Sequence, residues 1–223
     1  MSFIYMKILE KKPKYYDKLI HLLSLSNLSK IYSEITEHVK KGDKVLDICC
    51  GTGKLTFLAA ERGAFVKGID INPSMLDIAR KKAKEKKLNK TVWFEERSVI
   101  ELDEEKENSY DIIMGALCLS ELSKEERAYT IKQIGRILKP NGKLLLVYEK
   151  RPSNIFKYLI YFLLRLPLLI LTVVLVQKTT RGLNKKDERI IFTQKFEILI
   201  EKENWLGSLK QLVLKKRDLN ENN

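Results

Sequence analysis

The chain has 223 residues, a net charge of +13, and is 44% hydrophobic and 32% charged. That length suits one elaborated domain, and the apolar content supplies a full core, which excludes a disordered chain. Three cysteines, Cys49, Cys50 and Cys118, form neither a disulfide framework nor a zinc-ligand spacing, so a reducing cytoplasmic setting and no metal are expected.

The first sixteen residues carry no long apolar run followed by a small-residue cleavage site. Residues 14–39 read as helix, with Leu19, Leu22, Leu23, Leu28, Ile31 and Ile35 on one side. His38 falls near its end as a charge partner for the helix carboxyl terminus. The sequence KVLDI (44–48) is a short strand, Gly51 and Gly53 form a loop, and residues 54–62 read as a helix stopped by Gly63. A second strand, 65–69, ends at Asp70. Asn72 and Pro73 then cap and open a helix expected to reach Leu88, whose basic end, 80–90, is solvated. Strands follow at 91–96 and 110–114. Ser123 and Glu126 fit a capping box for a helix over 124–138, and Pro140, Asn141 and Gly142 make a turn before a strand at 143–148. Alternating strands and helices imply a parallel, doubly wound α/β sheet. Residues 196–204 and 208–216 add an antiparallel hairpin, for about seven strands in all.

The segment VLDICCGTGKL (45–55) is the most specific feature. A strand leads into a glycine loop that opens a helix, and Asp70 closes the next strand, where a carboxylate can accept from both ribose hydroxyls. A dinucleotide site, as in a dehydrogenase, wants a third glycine, but Lys54, Leu55 and Thr56 follow Gly53. Asp47 precedes the loop by four residues. An acid there suits a ligand bearing an ammonium or sulfonium group rather than a pyrophosphate.

On these residues the chain resembles the class I S-adenosylmethionine-dependent methyltransferases, over roughly residues 40–150. Cys49 stands where that family usually has its first glycine, a departure seen in the quinone-methylating branch. The resemblance implies a Rossmann-like fold with S-adenosylmethionine as cofactor. It implies that Asp47, Cys49, Gly51, Thr52 and Gly53 form the loop side of the site and that Asp70 holds the ribose. Ile71 and Met75 would flank the adenine, Ser98 and Val99 would lie beside it, and Gly115 and Leu117 would border the cofactor from the fourth strand. Ser98 replaces an acid common in relatives, so one polar contact to the adenine is expected to be weakened.

Methyl transfer is an in-line displacement that needs alignment more than acid–base chemistry. The segment after the fourth strand, GALC (115–118), lacks the Asn/Asp-Pro-Pro-aromatic run of nucleic-acid amino methyltransferases, which argues against nucleic acid. The broad resemblance is to quinone- and lipid-type enzymes, so a small or lipid-like acceptor is expected. A narrower one, in LCLSEL, TTRG and NWLGS, points to methyltransferases accompanying corrinoid proteins. The alternative to an enzyme is a cofactor-binding accessory protein tied to one-carbon metabolism or docking a membrane or partner. Candidate catalytic groups are Tyr148, Glu149 and His21; Tyr15, Tyr16 and Asp17 are candidates to close over the cofactor.

Residues 155–176, IFKYLIYFLLRLPLLILTVVLV, are almost wholly apolar. About 20 such residues span a bilayer, but Arg165 at the centre costs about 3 kcal/mol on insertion scales and Pro167 breaks the helix. A single crossing would also separate strands of one sheet. Two short helices, near 154–165 and 168–177, covering the acceptor pocket are expected instead. Residues 150–217 hold 15 Lys and Arg against 5 Asp and Glu, which suits an anionic membrane surface and a peripheral location on its inner face. The expected organisation is a helical lid (1–41), a cofactor-binding core (42–150), an apolar helical insertion on the acceptor side (151–189) and a hairpin with a disordered tail (190–223).

Overall fold

The structure, a computed structural model, describes residues 27–119, 122–149, 195–204 and 209–217. The described elements are α1 (Asn27–Thr36), β1 (Lys44–Ile48), α2 (Lys54–Glu61), β2 (Phe65–Asp70), α3 (Pro73–Glu85), β3 (Val92–Glu96), a 3₁₀ helix (Val99–Glu104), β4 (Tyr110–Ala116), α4 (Lys124–Ile137), β5 (Leu138–Glu149), β6 (Phe196–Asn204) and β7 (Leu209–Lys216). Seven strands form one sheet in the order β3-β2-β1-β4-β5-β7-β6. The first five are parallel, and β7 runs antiparallel between β5 and β6. The expected fold class and hairpin are therefore present.

Alternation along the strands divides the core into two layers. Val45, Met114, Leu145, Val147 and Val213 face one side, where Leu28, Ile31 and Ile35 of α1 and Leu55 and Phe57 of α2 cover them. Leu46, Ile48, Ile69, Ile113, Leu144 and Leu146 face the other, under Leu102 of the 3₁₀ helix and Ile131 and Ile134 of α4. Both faces are buried, so β1 and β5 read as apolar runs rather than strict alternations. From β3 the chain crosses back to lay β4 on the far side of β1. The reversal of strand order at β1/β4 opens a crevice beyond the carboxyl ends of the strands, where α/β folds bind ligands.

Three boundaries differ from the sequence reading. Helix α3 stops at Glu85, three residues before the expected Leu88, because Lys87 takes the left-handed conformation (φ 57°). The Leu88 N–H then bonds the Ala83 carbonyl at 2.9 Å and the Lys87 N–H the Lys84 carbonyl at 3.0 Å, a Schellman closure without its usual glycine. Strand β5 starts at Leu138, not 143. Leu138 pairs Tyr110, and the next pairing is Lys143 with Ile112, so the Pro140–Gly142 turn is a bulge inside the strand. Asp111 faces the bulge, paired with Lys139 at 2.8 Å and accepting the Lys44 N–H at 2.9 Å. Helix α1 ends at Thr36, whose hydroxyl donates to the Tyr32 and Ser33 carbonyls, each at 2.9 Å. His38 lies beyond it, and burial, with Lys143 nearby, holds its imidazole below the ordinary value. That shift favours the uncharged imidazole over the charge partner expected.

Asn72 and Ser123 cap their helices as read: Asn72 accepts from Ser74 at 3.1 Å, and Ser123 and Glu126 close a reciprocal box at 3.1 and 2.8 Å. Beside β3, Glu105 gathers Lys67 (2.6 Å), Arg97 (2.7 Å) and the Tyr110 hydroxyl (2.7 Å). This network ties the 97–105 segment, with Ser98 and Val99 in it, to β2 and β4. Among the described residues no helix is long and apolar enough to cross a membrane. The insertion 151–189, with the two helices expected in it, and the lid residues before 27 lie outside the described residues.

Candidate active site

The crevice is built from the ends of β1, β2 and β4. After Ile48 the chain turns through three left-handed residues: Cys49 (φ 52°), Gly51 (φ 53°) and Gly53 (φ 82°). The Cys50 N–H bonds the Ile69 carbonyl and the Gly53 N–H bonds the Cys50 carbonyl, both at 2.9 Å, which fixes the loop against β2. The two glycines serve different ends. A Cβ on Gly51 would meet nothing within 4 Å, so this glycine borders open space. A Cβ on Gly53 would lie 2.8 Å from the Phe57 ring and 3.2 Å from Phe94. Those rings pack edge to face with centroids 6.0 Å apart and support the loop from below.

Asp70 joins the loop to α3. One carboxylate oxygen accepts the Gly51 N–H at 2.8 Å and the other the Asn72 N–H at 2.9 Å. Burial raises this carboxyl above the ordinary range, and those N–H groups partly offset the rise. Asp47 is 1% exposed. It sits in β1 level with Gly68 and Met114, and accepts the Thr56 hydroxyl at 2.5 Å. Burial pushes it up to about 7, with the Thr56 hydroxyl and N–H opposing and the Asp70 charge adding.

Cys49 carries a side chain in a conformation that costs a non-glycine residue about 1–2 kcal/mol. Cys49→Gly removes that strain, at about 0.4–1 kcal/mol of unfolded-chain entropy. The expected result is a gain of up to about 1 kcal/mol, a melting temperature about 2–4 °C higher. Destabilisation instead would show that the packing of the Cys49 sulfur against the second core layer outweighs the strain.

The remaining candidates divide. Ile71, directly after Asp70, is 66% exposed, whereas Met75 is buried. Thr52 is buried, its carbonyl accepting Lys82 at 3.4 Å. Ser98 caps the 3₁₀ helix, and its N–H is held by Glu101 at 2.7 Å, while Val99 packs into the second core layer. Gly115 pairs with Ile48, where a Cβ would come within 2.8 Å of the Ile48 side chain. Leu117 is left-handed (φ 63°), its N–H bonding the Val147 carbonyl at 2.7 Å. Cys118 is a buried member of the core. Tyr148 is fully buried in the second layer, with the Lys210 ammonium 6.0 Å from its ring centroid, so it lines core rather than crevice. The Glu149 side chain, His21, Tyr15, Tyr16 and Asp17 lie outside the described residues. Sequence reading passed over Thr56. Its signal was a hydroxyl in the first turn of α2, nine residues after the acid it holds.

The strand order, with a left-handed glycine loop after β1 and an acid closing β2, is the Rossmann-like α/β arrangement expected from the sequence. Residues 45–142 match the family model described as a methyltransferase domain. Several of the curated proteins the chain resembles are named for quinone methylation. They include a demethylmenaquinone methyltransferase of Lactobacillus johnsonii, 32% identical over 147 residues, covering 63% of this chain and 58% of that protein. A ubiquinone biosynthesis O-methyltransferase of Coxiella burnetii is 31% identical over 143 residues, covering 64% and 58%. The chain thus spans 58% of the length of these relatives. Among solved structures, a SAM-dependent methyltransferase from Methanosarcina mazei superposes with a TM-score of 0.65 at 24% identity, over 84% of this chain and 98% of that one, and so shares its fold.

Proposed function

We propose that the protein is an S-adenosylmethionine-dependent methyltransferase that moves a methyl group to a small, lipophilic, quinone-type acceptor by in-line displacement. The observation that carries the reading is the arrangement of Gly51 and Asp70 at the carboxyl ends of β1 and β2, with Asp47 buried beneath the loop. The residues fit the cofactor. Gly51 is left-handed with open space where a side chain would stand, two carboxylates converge on the loop, and Ile71 offers an exposed apolar surface beside Asp70.

When bound, S-adenosylmethionine supplies an electrophilic methyl group on a sulfonium. The chain's own residues bind and orient. Asp70 accepts from the ribose hydroxyls with lone pairs its two backbone donors leave available. The Gly51–Gly53 backbone, with Cys49 and Thr52, borders the methionine portion, and Asp47 supplies charge complementary to a cation. Ile71 and Met75 flank the adenine with Val99 behind, while Ser98 commits its hydroxyl to the 3₁₀ helix. Gly115 and Leu117 close the β4 side. Positioning of this kind contributes most of the acceleration of a displacement in which both partners are held in line.

The acceptor class is supported by the quinone-methylating relatives. Of the three sequence candidates, Glu149 and His21 are the proposed groups for orienting or deprotonating the acceptor, whereas Tyr148 packs in the second core layer. An anionic membrane surface and a corrinoid protein are proposed partners, the first on the basic composition of 150–217 and the second on the LCLSEL, TTRG and NWLGS segments. The test uses methyl-labelled cofactor with the full chain and, in parallel, a demethylated quinol, a total lipid extract and a corrinoid-protein fraction. Label recovered in the quinol or lipid is expected. Tight cofactor binding with no transfer to any fraction would overturn the enzymatic reading.

A further inference from the structure

We propose that Thr56 is a positioning residue of this site: its hydroxyl holds Asp47 beneath the glycine loop in the ionised form that a cationic ligand requires. The inference rests on the methyltransferase reading above and adds to it one residue and one proton.

Asp47 is almost completely removed from water, and no lysine or arginine among the described residues pairs with it. A buried carboxylate without a cation favours its protonated form. What opposes that is Thr56, itself fully buried in the first turn of α2, whose hydroxyl lies 2.5 Å from the carboxylate oxygen. That length is characteristic of a hydroxyl donating to an ionised acceptor. The backbone N–H of Thr56 adds to the same effect. The other titratable and charged groups around the loop do not substitute. Asp70 at the end of β2 repels a second negative charge, the Cys50 thiol is pushed well up by burial, Arg80 on α3 acts on Cys50, and Lys82 is bonded to the Thr52 carbonyl. With Asp47 near 7, both of its forms are populated at neutral pH.

A ligand carrying ammonium and sulfonium charge selects the carboxylate. Binding therefore breaks the Asp47 O–H bond, releases that proton to solvent, and leaves the ligand cation facing a carboxylate held by the Thr56 hydroxyl. The sign follows: cofactor affinity rises with pH through about 7 and levels off above, because the proton competes with the ligand for Asp47.

The test is titration calorimetry of S-adenosylmethionine into the full chain between pH 6 and about 8.5, in buffers of unequal ionisation enthalpy. Near pH 7 the measured heat is expected to depend on the buffer and report a released fraction of a proton, and the dependence is expected to vanish at the alkaline end. Thr56→Val is expected to weaken binding at pH 7 by about tenfold and to move the rise in affinity up by about one pH unit. Thr56→Ser, which keeps the hydroxyl, is expected to restore both. Buffer-independent heats near pH 7, an unchanged pH profile in Thr56→Val, or a Thr56→Ser profile as displaced as that of valine would each overturn the proposal. Should the valine variant fail to fold, the buffer dependence of the unmodified chain decides alone. No cofactor binding at any pH would sink the methyltransferase reading itself. Binding without proton release sinks only the role of Thr56.

Discussion

Asp70→Ala is expected to lower affinity for S-adenosylmethionine by at least about a hundredfold while leaving the chain folded. Two charge-assisted bonds to the ribose are lost in the proposed complex, each contributing about 1.5–3 kcal/mol. The loop also loses its tie, since the Gly51 N–H donates to this carboxylate. Stability moves less, because two effects oppose. Removing the acceptor leaves two backbone donors, of Gly51 and Asn72, to find water. Removing the carboxyl also relieves the cost of a group whose ionisation burial disfavours. Asp70→Asn is expected to fare nearly as badly in binding, because its amide group has one acceptor oxygen for the two N–H donors. Calorimetry measures the affinity and thermal unfolding the fold. Affinity within a fewfold of the unmodified chain would remove Asp70 from the site.

Gly53→Ala is expected to cost about 2–5 kcal/mol of folding free energy, about 1–2 from a side chain at φ 82° and about 1–3 from overpacking. For a chain of this size that lowers the melting temperature by roughly 4–20 °C. The overpacking is specific, because the new methyl would lie 2.8 Å from Phe57 while Phe57 is wedged against Phe94. Gly51→Ala is the control. It carries the same kind of backbone strain with no clash, so its stability loss is expected to stop at about 1–2 kcal/mol. Its methyl points into the space assigned to the ligand, so binding suffers more than folding. Equal stability losses in the two variants would show that strain alone, and not the aromatic wedge, governs the loop. Both losses are read from denaturant or thermal unfolding of the purified variants.

Much of the architecture was legible because it rests on local signals. The Asn72–Pro73 start of α3 and the Ser123/Glu126 box of α4 are encoded in residues that touch within one helical turn. The misread boundaries have nonlocal or cryptic causes. The early end of α3 uses Lys87 in the left-handed conformation, and no glycine announces it. The extension of β5 depends on Leu138 finding Tyr110, a partner in another strand. The His38 imidazole is held below its ordinary value by burial and by Lys143, a residue 105 positions away in the chain.

The site shows the same division. By itself the sequence determined that an acid, a left-handed glycine loop and a second acid follow one another at the ends of two strands, because that chemistry is written in contiguous residues and fixed by backbone conformations that few residue types adopt. Only the tertiary structure decided what each residue does there. It turned Gly53 toward an aromatic wedge and Gly51 toward open space, placed Tyr148 in the core, joined Asp70 to the loop and set Thr56 against Asp47. The physical reason is that burial and hydrogen-bond partnership are properties of packed neighbours, and packing brings together residues whose separation along the chain says nothing about their distance in space.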